Sequence, residues 1–242
     1  MFRRTLATAA AAAGIAALLP LTASAADPVV PPRIKAAQGT ATAQVAGACA
    51  LSVPSRIAIG KPILTLQAKV SGPCAIAGSS SVWILNSPSK GDVNGILFDS
   101  TDPQGDGSYA FFDSDPLGTQ TWQGRGSINA DDTLNSQNNV PITVKLAAGA
   151  WISSSRSGDV VTLKGTSLLY STGNHNYFKR SAGGVFQFRE RGTTTWKNLK
   201  SVYTNSKGEV TMAYRYSKLR DYRFALYSTS ISWDLGSAVT TR

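Results

Sequence analysis

The side chains of this 242-residue chain that can do chemistry are few and unevenly placed: two cysteines, one histidine, an aspartate cluster in the first half and fourteen Lys/Arg in residues 151–242. Asp99, Asp102, Asp106, Asp113 and Asp115 stand among Gly and Ser, a setting in which carboxylates can hold calcium. Their spacing lacks the closing acidic residue of a helix–loop–helix calcium site. The same residue types fold turns through their own backbone bonds, which is the role expected here. Short turns also do not set two carboxylates facing each other across a cleft, as glycoside hydrolysis requires. His175 sits in the polar run Ser171–Asn176, and no Gly-x-Ser-x-Gly motif supplies it with a nucleophile. Cys49 and Cys74 are far from Cys-x-x-Cys spacing and have no cationic neighbour to activate a thiolate. The expectation is a non-enzymatic protein with no catalytic residue, metal ligand or cofactor.

The remaining chemistry is cationic. Residues 26–150 carry eight Lys/Arg and nine Asp, whereas residues 151–242 carry fourteen Lys/Arg and five acids. Arg189, Arg191 and Arg223 form an outward stripe, with Gln187 and Tyr227 beside it, if the runs Val185–Arg191 and Tyr222–Tyr227 are paired strands. Phe186 and Phe188, and Tyr222, Phe224 and Leu226, would then face inward. Guanidinium forks suit phosphate and carboxylate, so the predicted partner is an anionic cell-surface polymer or an acidic protein. No groove-reading helix or stacking motif points to specific nucleic-acid recognition. The alternative is a structural or protein–protein interaction module whose charge only keeps it soluble and discourages edge pairing. Of the five tryptophans, Trp83 and Trp122 lie in apolar alternations that predict core positions, and Trp196 is the one expected to be partly exposed.

Such a stripe needs strands to hold it, and the sequence is written in short strands. Apolar-alternating runs bounded by Gly, Pro, Asn, Asp and Ser recur from Ile63–Val70 to Ala238–Thr241, with no sustained helical period. The halves share a rhythm. From Val82 through Phe98, Tyr109, Trp122 and Val140 the steps are 16, 11, 13 and 18 residues. From Val185 through Val202, Val210, Tyr222 and Val239 they are 17, 8, 12 and 17. Two copies of one fold of about 100 residues, joined near Ala147–Trp151, account for this. The predicted architecture is all-β, with two tandem immunoglobulin-like β-sandwich domains at residues 48–147 and 148–242.

In the second half, Val161-Thr-Leu-Lys-Gly165, Val185-Phe-Gln-Phe-Arg189, Trp196, the Asn205-x-x-Gly208 turn and Asp221-Tyr-Arg-Phe224 resemble immunoglobulin-like modules of secreted bacterial proteins. The resemblance covers residues 160–242. It implies an accessory, adhesive or spacer role and transfers no catalytic residue. Tyr222 resembles the tyrosine corner of Greek-key sandwiches, whose hydroxyl ties down a crossing loop.

The N-terminus reads as an address. Arg3 and Arg4 precede an apolar stretch from Leu6 to Leu21, and Ala23-Ser24-Ala25 supplies the small residues of a cleavage site, so residues 1–25 are read as a signal peptide. The stretch is too short for a transmembrane anchor and ends in Pro20 and polar residues. Residues 26–47, rich in Ala, Pro, Gly and Thr, are read as a flexible leader or an edge strand. Export implies an oxidising, extracellular setting in which Cys49 and Cys74 form one structural disulfide.

Overall fold

The computed structural model describes residue 34, residues 45–99 and residues 106–242. Residues 1–25, read as a signal peptide, nearly all of residues 26–47, read as a leader, and Asp102 lie outside the described residues. Among the described residues the ordered elements are almost entirely strands, and no helix is long and apolar enough to cross a membrane.

The first half contains β1 (Val45–Ser52), β2 (Arg56–Ile59), β3 (Ile63–Ser71), β4 (Ser80–Ser87), β5 (Gly91–Phe98), β6 (Asp106–Phe112), β7 (Gly118–Ile128), β8 (Leu134–Gln137) and β9 (Val140–Leu146). β4 lies between β5 and β7, and β7 continues to β9, which pairs in parallel with β2. β3 pairs with β1 and β6 to make the opposite layer. β1 also pairs in parallel with β8, so one strand serves both layers. Trp83, Phe98, Phe111, Trp122, Ile57 and Val144 fill the space between the layers, and Trp83 and Trp122 are fully buried as their alternation predicts. The Cys49–Cys74 disulfide is formed and ties β1 to the 3-10 turn Gly72–Ala75.

The second half contains β10 (Ala148–Ser157), β11 (Val160–Ser171), β12 (Asn176–Lys179), β13 (Gly183–Glu190), β14 (Lys197–Tyr203), β15 (Glu209–Arg215), β16 (Arg220–Leu226), β17 (Leu235–Gly236) and β18 (Thr240–Thr241). One sheet sets β11 against β10 on one side and β12 and β15 on the other. The other sheet places β13 between β14 and β16, and β16 continues to β17 and β18. Val161 and Leu163 from the first sheet meet Phe186, Tyr222, Phe224 and Leu226 from the second. Gly165 makes this contact possible, because a Cβ there would lie 2.9 Å from the Phe224 ring. The two halves share one pairing pattern: β4 sits between β5 and β7 as β13 sits between β14 and β16, and β3 joins β1 to β6 as β11 joins β10 to β15.

Tyr222 differs from the tyrosine-corner expectation. Its hydroxyl lies 2.6 Å from the Tyr214 hydroxyl on the facing sheet. The phenol thus crosses the sandwich instead of reaching a loop carbonyl, since β15 passes directly opposite it.

Ala147 alone separates β9 from β10, and the halves are clamped around that point. Tyr170 of β11 is buried in the core of the first sandwich and donates its hydroxyl to Asp113 at 2.8 Å. His175 Nδ1 meets the same Asp113 carboxylate at 2.7 Å. On another flank, Trp233 donates its indole N–H to the Ile57 carbonyl at 2.8 Å. The Arg56 guanidinium lies 4.1 Å from the Trp233 ring and the Lys145 ammonium 4.4 Å from it. Arg56 also pairs with Asp234 at 2.5 Å, and the Leu146 amide donates to the Ile231 carbonyl at 2.8 Å.

Candidate anion-binding face

β13 and β16 run antiparallel with Gln187 opposite Arg223 and Arg189 opposite Asp221. Period-two alternation puts Phe186, Tyr222 and Phe224 into the core and turns Gln187, Arg189, Arg223 and Tyr227 onto the outer face. Trp196, in the connection to β14, lies against this face. The Arg189 guanidinium lies 4.8 Å from the indole ring and that of Arg223 lies 4.4 Å from it, so two cations share one aromatic surface.

The two arginines are compensated differently. Arg189 donates through Nε to Asp221 Oδ2 at 3.0 Å, and Asp221 also accepts the Thr241 hydroxyl at 2.7 Å. The Thr241 hydroxyl first, and then Arg189, hold the Asp221 carboxyl below its usual range. Arg223 donates through Nε to the neutral amide oxygen of Gln187 at 2.7 Å and forms no ion pair among the described residues. Burial, and then the positive charge of Arg189, push the Arg223 guanidinium below its ordinary value. Gln187 is fixed in turn by donating to Asn198 of β14 at 2.8 Å. The amide thus holds Arg223 from below and leaves its remaining N–H groups for a ligand.

The other sequence-named residues fall as follows. Arg191 lies beyond the end of β13, in the turn that closes at Gly192, where φ is 79°. It is therefore an exposed turn residue and not a strand residue, because Glu190, paired with Arg220, is the last rung of the ladder. Its charge still reaches Asp221 and lowers that carboxyl. Tyr227 stands at the far end of the same face and shares a 2.9 Å hydroxyl contact with Ser201. Cys49 and Cys74 are buried in the first sandwich, remote in role from this face. His175 and Asp113 belong to the junction, and no group of three His, Cys, Asp or Glu residues suited to a metal occurs among the described residues. Sequence reasoning missed Asp221 as the partner of Arg189, and Asn198 as the anchor of Gln187. Only the strand register reveals those pairs.

No family model matches the chain, and no curated protein matches it in sequence. Among solved structures, Salmonella alpha-2-macroglobulin reacted with methylamine is similar over 82% of this chain at 9% identity, with a TM-score of 0.38, and the chain spans only 15% of that protein. The D0-D1 domain of intimin matches 80% of this chain and 96% of its own length at 12% identity and a TM-score of 0.24. A DUF3823 family protein from Bacteroides uniformis matches 80% of this chain and 98% of its own at 14% identity and a TM-score of 0.29. Identities and TM-scores this low assign neither a family nor a function.

Proposed function

We propose that this is an exported, extracellular, non-enzymatic binding protein whose second sandwich docks an anionic polymer on the outer face of β14, β13 and β16. The observation that carries the reading is Arg223: a guanidinium laid on Trp196 beside a second guanidinium, oriented by a neutral amide and left without a carboxylate. An anion placed there completes its hydrogen bonds and relieves the repulsion from Arg189. Arg189, tied to Asp221, contributes position more than free charge, and Arg191 adds field from the adjoining turn. The disulfide and the signal-like N-terminus support an oxidising destination.

Binding of the full chain to polygalacturonate, followed by isothermal titration calorimetry over a sodium chloride series, tests this. Affinity is expected to weaken steadily with salt, as exposed charge–charge contacts are screened. Arg223→Gln is expected to lower affinity about tenfold, the scale of one lost charge-assisted hydrogen bond. Lys90→Gln, in the turn between β4 and β5 of the first sandwich, should leave it unchanged. Salt-insensitive binding, or an Arg223→Gln protein that binds as the parent does, refutes the reading and favours an interaction module with incidental charge.

A further inference from the structure

The same face carries a feature that charge alone does not use. Gly183 of β13 is opposite Tyr203 of β14, and the Tyr227 amide donates to the Gly183 carbonyl from the β16 side. Both phenol rings lean over the glycine: a Cβ at residue 183 would lie 3.3 Å from the Tyr203 ring and 3.3 Å from the Tyr227 ring. The absent side chain lets the Tyr227 ring cross β13 toward Ser201 of β14 with Tyr203 beside it, so the two rings roof Gly183 and form an aromatic platform. Tyr203 is 80% exposed and Tyr227 45% exposed, so these rings contribute little to the core. The Tyr227 hydroxyl is oriented by Ser201. Two adjoining exposed rings make a contiguous aromatic patch, the kind of surface that marks an interaction site.

From Gly183 to Arg189 the strand runs six residues, about 20 Å, room for about four linked pyranose rings. Cations crowd the Trp196 end, where Arg189, Arg223 and the turn residue Arg191 stand. Over the intervening face Val185, Ser201 and Ala225 are neutral. A single-stranded nucleic acid needs cations that track its backbone along the whole groove. A polyphosphate has no ring to lay on the tyrosines. A polymer of low charge density with flat apolar ring faces fits both ends.

We infer that the ligand of this face is an anionic glycan, with sugar rings stacked on the exposed surface of the Tyr203 and Tyr227 rings above Gly183 and a carboxylate or phosphate substituent held by Arg223 beside Trp196. The inference rests on the anion-binding reading above and adds the tyrosine pair as the determinant that selects a glycan. The Gln187 and Asn198 amides, between the two ends, offer their free polar positions to sugar hydroxyls.

The test compares four probes on the full chain: polygalacturonate, dextran, inorganic polyphosphate and an oligothymidylate. Each is titrated into the parent, Tyr203→Ala and Arg223→Gln proteins, with folding checked by circular dichroism. Polygalacturonate is expected to bind tightest, dextran weakly, and Tyr203→Ala to weaken polygalacturonate roughly threefold to tenfold, the range of one lost aromatic stacking contact. Polyphosphate binding should be indifferent to Tyr203→Ala. Polygalacturonate binding that Tyr203→Ala leaves intact, or polyphosphate or oligothymidylate binding as tight as polygalacturonate, overturns the glycan inference while sparing the anion site. Indifference of every anionic probe to Arg223→Gln, or binding to none of them, overturns both.

Discussion

Replacing Trp233 by alanine removes the principal peg between the two sandwiches. The indole donates a 2.8 Å hydrogen bond to the Ile57 carbonyl, and its loss takes away about 1 kcal/mol. Two cations lie over the ring, Arg56 at 4.1 Å and Lys145 at 4.4 Å. The Arg56 side chain is 54% exposed, so each of these contacts is worth about 0.5–1 kcal/mol, the lower part of the cation–π range. Trp233→Ala should therefore cost about 2–3 kcal/mol of coupling, whereas Trp233→Phe, which keeps a ring but loses the donor, should cost about half of that. Urea unfolding followed by far-ultraviolet circular dichroism is the assay. The parent should unfold in one transition, because Tyr170 sits in the first core and Ala147 is the entire connection. Trp233→Ala should lower the midpoint or split the curve into two transitions. An unchanged single transition in Trp233→Ala, or a Trp233→Phe loss equal to that of Trp233→Ala, refutes this account of the junction.

Two further outcomes follow from other contacts. Cys49→Ala combined with Cys74→Ala opens a cross-link between residues 25 apart, which the loop-entropy model puts at about 3 kcal/mol. The melting temperature of the double variant should fall by about 6–12 °C, and a fall within experimental error would show that the unfolded chain gains nothing from the break. Glu209 accepts from Lys179 at 2.7 Å and pairs with Lys164 at 3.0 Å, and these contacts bring its carboxyl from 4.5 down to about 2. A depressed carboxyl stabilises the fold above its unfolded value and loses that contribution as pH falls from about 4.5 toward 2. The melting-temperature gap between parent and Glu209→Gln should be full at neutral pH and close across that acidic window. A gap independent of pH would contradict the assignment.

Much of the architecture was legible because burial writes itself into alternation. Phe186, Tyr222 and Phe224 could be placed inward from their spacing alone, and with them Gln187, Arg189 and Arg223 outward. Strands that bury little left no such record. β12, with all four residues exposed, and β10, whose Ser153-Ser154-Ser155 run reads as a linker, carry no apolar alternation in sequence. β2 and β8 are four residues each and gain their place from distant partners; β2 alternates exposed and buried residues, but over too short a run to stand out. The site was half legible for the same reason. Outward arginines follow from periodicity, but the pairing of Arg189 with Asp221, the sharing of Trp196 and the tyrosines converging on Gly183 depend on register across three strands. The charge of Arg191 continues the alternation and predicts a strand position, but the ladder ends one residue earlier. The tyrosine corner was suggested by position, and an opposing tyrosine on β15 supplied a nearer partner.

The position of Tyr170 bears on the order in which the chain can mature. The N-terminal sandwich completes its interior with a ring that belongs to a later strand, 24 residues past Leu146, its own last strand residue. A polypeptide emerging residue by residue therefore holds an unfinished, water-accessible socket until that tyrosine arrives. The second sandwich acts as a closing plug for the first, so the N-terminal half needs shielding during synthesis for longer than its own length implies.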